Sequence, residues 1–120
     1  WPDAQINSLI KLLTTLKKKY AIPTANFIGH ADIAPKRKPD PNNFPWKKLA
    51  VKGFGYWYDD VLQNPPVDFD TANALKLMGY DTSDLGAATT AFKRHFIQTD
   101  ITPKLTPVDI LVLYNVYTKY

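Results

Sequence analysis

From Ile6 onward the apolar positions Ile6, Leu9, Ile10, Leu13, Leu16 and Tyr20 recur at the i, i+3, i+4, i+7 spacing of one helical face. Lys11 and Lys17 to Lys19 fall elsewhere, and the three consecutive lysines crowd the last turn, where they complement the negative end of the helix dipole. Pro23 prevents continuation. The short apolar run Asn26-Phe27-Ile28-Gly29 then predicts a buried strand, and a helix feeding a strand predicts an α/β layer.

Residues 31–46 hold Pro35, Pro39, Pro41 and Pro45, so a shaped loop is expected there, because proline removes a backbone donor and restricts its predecessor. Residues 53–66, GFGYWYDDVLQNPP, read as a linker and place a domain boundary between residues 1–52 and 67–120. Tyr56, Trp57 and Tyr58 within it could stack on sugar rings or wedge the two parts together. The wedge is favoured, since free aromatics would expose an unusual apolar patch.

Beyond the linker three helices are predicted. Asp70 or Thr71 caps the first, which runs through Met78 and stops at Gly79. The second spans about Leu85 to Phe96, with Ala88, Phe92 and Phe96 inward. The third opens on Thr106-Pro107-Val108-Asp109, a capping hydroxyl, a first-turn proline and a carboxylate near the positive helix end. Its inward side is expected at Ile110, Leu111, Leu113, Tyr114 and Tyr117.

The chain has 120 residues, 45% of them hydrophobic, enough for one modest core or two small ones. No apolar run approaches the roughly 20 residues that span a bilayer. The sequence opens on Trp1-Pro2-Asp3 without an initiator Met or a signal-peptide core, so the reading expects a piece of a longer protein, with any targeting or lipid-anchoring segment upstream.

Zero cysteines leave His and carboxylate as ligands for a metal such as zinc. The net charge of +4 comes mostly from Lys17 to Lys19, Lys36-Arg37-Lys38 and Lys47-Lys48. Such groups attract phosphate polymers or form a solvated helix end and a basic loop, and the latter is the commoner case. Nucleic acid is not the expected partner, because Ile110 to Tyr120 carries only Lys119 where a recognition helix needs several cations.

The candidate chemistry lies in the proline-rich loop. His30 ends the expected strand and Asp40 follows ten residues later, a separation that allows both to converge on one metal. A catalytic zinc commonly takes three protein ligands and a water. Lys38 is a cation placed to stabilise a developing oxyanion. On spacing alone, a lone His such as His30 is more often a hydrogen-bonded structural residue, and Asp40 reads equally as a turn residue before Pro41. His95, three residues after Phe92, reads as a packing or hydrogen-bonding residue rather than a ligand.

The string F-I-G-H-A-D-I-A-P-K-R-K-P-D-P, followed by Phe44-Pro45-Trp46, closely resembles the signature of the type 2 N-acetylmuramoyl-L-alanine amidase family, the AmpD/AmiD-like zinc amidases of the bacterial cell wall. The resemblance implies a zinc enzyme of the cell envelope that hydrolyses the amide between N-acetylmuramic acid and L-alanine in peptidoglycan. It makes His30 and Asp40 zinc ligands and Lys38 the catalytic lysine.

Asn42 and Asn43 stand where the family usually has Gly after the D-P pair, and Asn tolerates left-handed backbone. The family's other zinc-binding His and its acidic general base have no match in residues 1–29. The implied fold is the C-terminal part of a mixed α/β sheet, with the active site to be completed by a missing N-terminal part. G-Y-D-T and A-F-K-R-H-F, within the three-helix pattern, resemble the peptidoglycan-binding domain appended to such amidases. The chain alone is expected to be inactive without that N-terminal part; the alternative is a module that binds peptidoglycan without cleaving it.

Overall fold

A strand holds only where a neighbour about 4.8 Å away takes its backbone hydrogen bonds, and the expected strand has none. In the computed structural model, which describes residues 1–120, a 3-10 turn occupies Thr24–Asn26 and Phe27 to Gly29 is extended but unpaired. The Phe27 N–H donates back to the Thr24 carbonyl, and the Gly29 N–H donates to the Asp32 carboxylate. With those donors used locally, no ladder forms. The chain is helical with no strand, which overturns the α/β expectation for residues 1–52.

Six helices make up the fold: α1 (Asp3–Tyr20), α2 (His30–Ile33), α3 (Trp46–Val51), α4 (Thr71–Leu77), α5 (Leu85–Phe96) and α6 (Pro107–Tyr117). Helix α1 starts earlier than its apolar pattern and ends at Ala21, whose left-handed backbone lets its N–H close on the Lys17 carbonyl. It lies on a first core of Ile6, Phe27, Phe44, Trp46, Leu49 and Phe54. Lys17 is pinned into that core's edge. Its Nζ donates to the Gly53 carbonyl at 2.6 Å and to Thr24 Oγ1 at 2.9 Å, and lies 5.5 Å from the Phe27 ring centre.

The second core lies among α4, α5 and α6, and its fully buried side chains include Leu75, Phe92, Phe96, Leu113 and Val116. Each helix starts with a side-chain cap that its local sequence announces. Asp70 accepts from the Asn73 N–H, Asp84 from the Ala87 N–H and Thr106 from the Asp109 N–H. Trp57 packs against both cores, 4.8 Å from Tyr58 and 5.7 Å from Phe96 between ring centres. The linker aromatics therefore wedge the two parts together.

Helix α6 buries Leu113 and packs Tyr117 against the core as expected, but the rest of its inward face is shifted. Val112, Leu113 and Val116 are buried, while Ile110, Leu111, Tyr114 and Tyr117 are only half-buried. Asp109 turns inward to meet Lys93, which is wholly buried on α5. Lys93 Nζ reaches Asp100 at 2.8 Å, Asp109 at 3.0 Å and the Lys104 carbonyl at 2.7 Å. Burial alone pulls the lysine's pKa down, but its hydrogen bonds and ion pairs to Asp100 and Asp109 more than offset this and hold it above its ordinary value.

Removing the lysine strands a buried carboxylate. Lys93→Met is expected to cost about 3–5 kcal/mol, read as a melting temperature lowered by more than 10 °C at roughly 4 °C per kcal/mol; a melt within about 2 °C of the parent would refute the role given to this pair. Asp100 titrates at about 2 instead of 3.8, chiefly through the Lys93 hydrogen bond and then the Thr102 N–H. A depressed folded-state pKa stabilises above the unfolded value, and the contribution disappears as pH falls through about 2. Melting curves between pH 4 and pH 2 should therefore fall less steeply for Asp100→Asn than for the parent.

Candidate active site

The proline-rich loop is closed at its neck by one backbone bond, in which the Ala31 N–H donates to the Asp40 carbonyl at 2.8 Å. Within the loop the Arg37 and Lys38 N–H groups both donate to the Ala34 carbonyl. Two residues ten apart in sequence are thereby set side by side: His30 Nδ1 lies 2.9 Å from Asp40 Oδ2. Both side chains face solvent, 66% and 54% exposed.

An imidazole nitrogen and a carboxylate oxygen converging on an open spot are donors of the kind zinc takes, so the pair fits as two ligands of such an ion. No third His, Cys, Asp or Glu joins them. Lys38 is exposed, and its ammonium makes no hydrogen bond or ion pair within the chain. His30 begins α2 instead of ending a strand.

Gly29, just before His30, is required by close approach. A Cβ there would come within 2.7 Å of the Pro41 ring and 3.1 Å of the Trp46 indole. After Pro41, Asn42 is held from two sides, its carbonyl by Trp1 Nε1 at 3.0 Å and its side-chain oxygen by Arg94 Nε at 2.8 Å. Asn43 takes a left-handed backbone, φ 48°, at a position where the turn calls for it.

Beneath the exposed pair lies a buried group that the sequence reading did not find. The Asp32 carboxylate accepts from the Gly29 N–H, from His95 Nδ1 and from the Tyr80 hydroxyl, each at 2.8 Å. Burial pushes the Tyr80 hydroxyl well above its ordinary pKa, and the Asp32 charge and hydrogen bond push it further, so it remains a donor. The His95 ring is sandwiched between Trp46 at 4.0 Å and Phe96 at 4.1 Å, and its Nε2 is buried without a partner. The available signal was Gly29-His30-Ala31-Asp32, in which an acidic side chain three residues on closes back onto the start of a helix.

The known proteins that this chain is similar to are described as N-acetylmuramoyl-L-alanine amidases. Residues 1–43 match the family described as N-acetylmuramoyl-L-alanine amidase, Amidase_2, a stretch that includes His30, Lys38 and Asp40. The chain is similar to the N-acetylmuramoyl-L-alanine amidase AmiD of Escherichia coli (strain K12), 43% identical over 89 residues, which is 65% of this chain and 32% of that protein.

Among solved structures it resembles AmpDh3 from Pseudomonas aeruginosa, with a TM-score of 0.85 and 31% identity over 100% of this chain and 54% of that one. It also resembles E. coli AmiD in complex with the substrate anhydro-N-acetylmuramic acid-L-Ala-D-gamma-Glu-L-Lys, with a TM-score of 0.80 and 32% identity over 98% of this chain and 52% of that one. The chain thus spans about half the length of these solved structures and about a third of the curated relative.

The Asp32 group is expected to be costly to remove. Asp32→Ala strands the Gly29 N–H, the Tyr80 hydroxyl and His95, and should lower stability by at least ~3 kcal/mol in urea unfolding, at about 1–3 kcal/mol per unsatisfied buried donor. A midpoint equal to the parent's would show that the network carries no load.

Proposed function

We propose that this chain carries one wall of the active site of a zinc-dependent N-acetylmuramoyl-L-alanine amidase, a peptidoglycan hydrolase. The bond cleaved is the amide between the lactyl group of N-acetylmuramic acid and the L-alanine of the stem peptide. The observation that carries the reading is the loop neck, Ala31 to Asp40, which brings His30 and Asp40 to 2.9 Å inside the stretch that matches the amidase family.

In this reading His30 and Asp40 hold the zinc. A zinc ion so held supplies Lewis acidity, polarising a carbonyl oxygen and acidifying a water molecule near neutral pH. Lys38, with no partner in the chain, places its ammonium where negative charge develops on the amide oxygen. The third zinc ligand and the acidic general base come from polypeptide outside these residues, so the 120 residues by themselves are not a competent enzyme.

The substrate is a muropeptide of the kind bound to the related AmiD structure. Residues 67–120 serve as a small helical domain that helps hold peptidoglycan, and the protein works in the bacterial cell envelope. The lack of a third ligand beside His30 and Asp40 also supports a second reading, in which these residues bind peptidoglycan without cleaving it. Incubation with purified peptidoglycan, with and without a chelator, separates the two: chelator-sensitive release of stem peptides, seen by mass spectrometry, requires an assembled zinc enzyme.

In the full-length enzyme, Asp40→Ala should abolish both zinc loading and hydrolysis. Lys38→Ala should keep the metal and lose turnover by roughly 10²–10³-fold, the usual effect of deleting one oxyanion-stabilising group. Unchanged hydrolysis by the Asp40→Ala protein ends the assignment.

A further inference from the structure

Between α3 and residues 55–60 of the linker opens a groove of about 400 Å³ that no step of the proposed chemistry uses. Its size falls in the range of small-molecule sites. Tyr56, Trp57 and Tyr58 give it an aromatic lining, and two ion pairs complete it, Lys47 with Asp60 at 3.2 Å and Lys119 with Asp59 at 3.0 Å.

The wedge between the two cores accounts for only part of this aromatic cluster. Trp57 packs against both cores and Tyr58 against the second, but Tyr56 belongs to neither, and its ring meets Tyr120 edge to face at 5.1 Å. The Trp57 indole N–H and the Tyr56 and Tyr58 hydroxyls make no hydrogen bond within the chain. None of the three is sealed from water, since His95 Nε2 is the one buried side-chain polar atom without a partner. Aromatic bodies with open polar tips suit a ligand that is apolar on one face and hydroxylated at its edge.

The charges decide which ligand the lining fits. Two lysines stand against two aspartates, so the groove carries no net charge and gives an anion no advantage. Each aspartate spends one oxygen on its lysine and keeps the other free to accept from a hydroxyl. Exposed ion pairs are weak, and their members exchange readily for a ligand's hydroxyls. A pyranose ring meets all of these features: its C–H faces lie on aromatic rings, while its hydroxyls accept from N–H and O–H donors and donate to carboxylates.

We propose that this groove binds an uncharged glycan, a short run of pyranose units, with Tyr56 as the stacking platform and Asp59 and Asp60 as hydroxyl acceptors. The glycan class rests on the lining alone; that the sugar chain is the one in peptidoglycan rests on the amidase reading.

The test titrates chitotetraose, an uncharged chain of N-acetylglucosamine with no muramyl amide to cleave, into the full-length protein, followed by calorimetry and by NMR of the backbone amides. A dissociation constant at or below about 1 mM is expected, with the signals of residues 55–60 perturbed. Raising the salt from ~0.05 to ~0.5 M should change the affinity by less than about twofold, as fits a neutral ligand. Tyr56→Ala should weaken binding about fivefold, and Tyr56→Phe, which keeps the ring, less than about twofold. Asp60→Ala should weaken it about threefold. The Asp60 side chain is 92% exposed and pairs only with an exposed lysine, so this variant folds as the parent does.

No binding of chitotetraose at about 10 mM overturns the proposal, as does binding that survives both Tyr56→Ala and Asp60→Ala unchanged. A steep loss of affinity with salt overturns it in favour of an anionic ligand. Failure of the amidase reading looks different: chitotetraose still binds at residues 55–60 while the full-length protein releases no stem peptide from peptidoglycan.

Discussion

A single buried carboxylate, Asp32, holds the loop of the candidate site to the helices of the C-terminal part. A carboxylate so removed from water is tolerable only if its lone pairs are met, and three donors from three places meet them: Gly29 at the start of α2, Tyr80 after α4 and His95 on α5. Those bonds orient the first turn of α2, which sends Ala31 into the C-terminal core and His30 to the surface. The loop neck then has a fixed base, and Asp40 returns to His30 from it. Trp46 closes the arrangement by stacking on His95 and bringing the first core against the network.

Lys93 repeats the arrangement in the C-terminal part. A buried cation meets Asp109 and Asp100 and chooses which face of α6 turns inward. The surface pairs of this chain are of another kind. Lys47 with Asp60, Lys48 with Asp3 and Lys119 with Asp59 are solvent-exposed contacts, and such pairs contribute little because water and mobile side chains compete with them. The structure thereby sorts a basic sequence into cations that build the fold, such as Lys17 and Lys93, and cations whose side chains have no partner within the chain, Arg37 and Lys38.

How legible each part was depended on the range of the forces behind it. Helices α4 and α6 could be read because Asp70 and Thr106 cap them within three residues, and α5 because apolar spacing is a local property. The strand at Phe27-Ile28 was misread because an apolar run specifies burial, not a partner, and its backbone donors found local acceptors instead. On α6 the misjudged face was apolar nearly all round, so periodicity could not choose, and the distant Lys93 did.

The pairing of His30 with Asp40 was suggested by the motif they share, and Lys38 by its place in the same motif. Their mutual placement came from the loop neck, while Asp32, Tyr80 and His95 went unnoticed as a group because 48 and 63 residues separate Asp32 from its two side-chain partners. By itself, then, the sequence determined the starts of α4 and α6, the prolines that shape the loop after α2 and the identity of the side chains proposed as metal ligands. The tertiary structure alone decided which charges are buried, which helix faces meet and where the aromatic groove opens. Those outcomes depend on desolvation and on contacts between residues far apart in the chain, which no local pattern encodes.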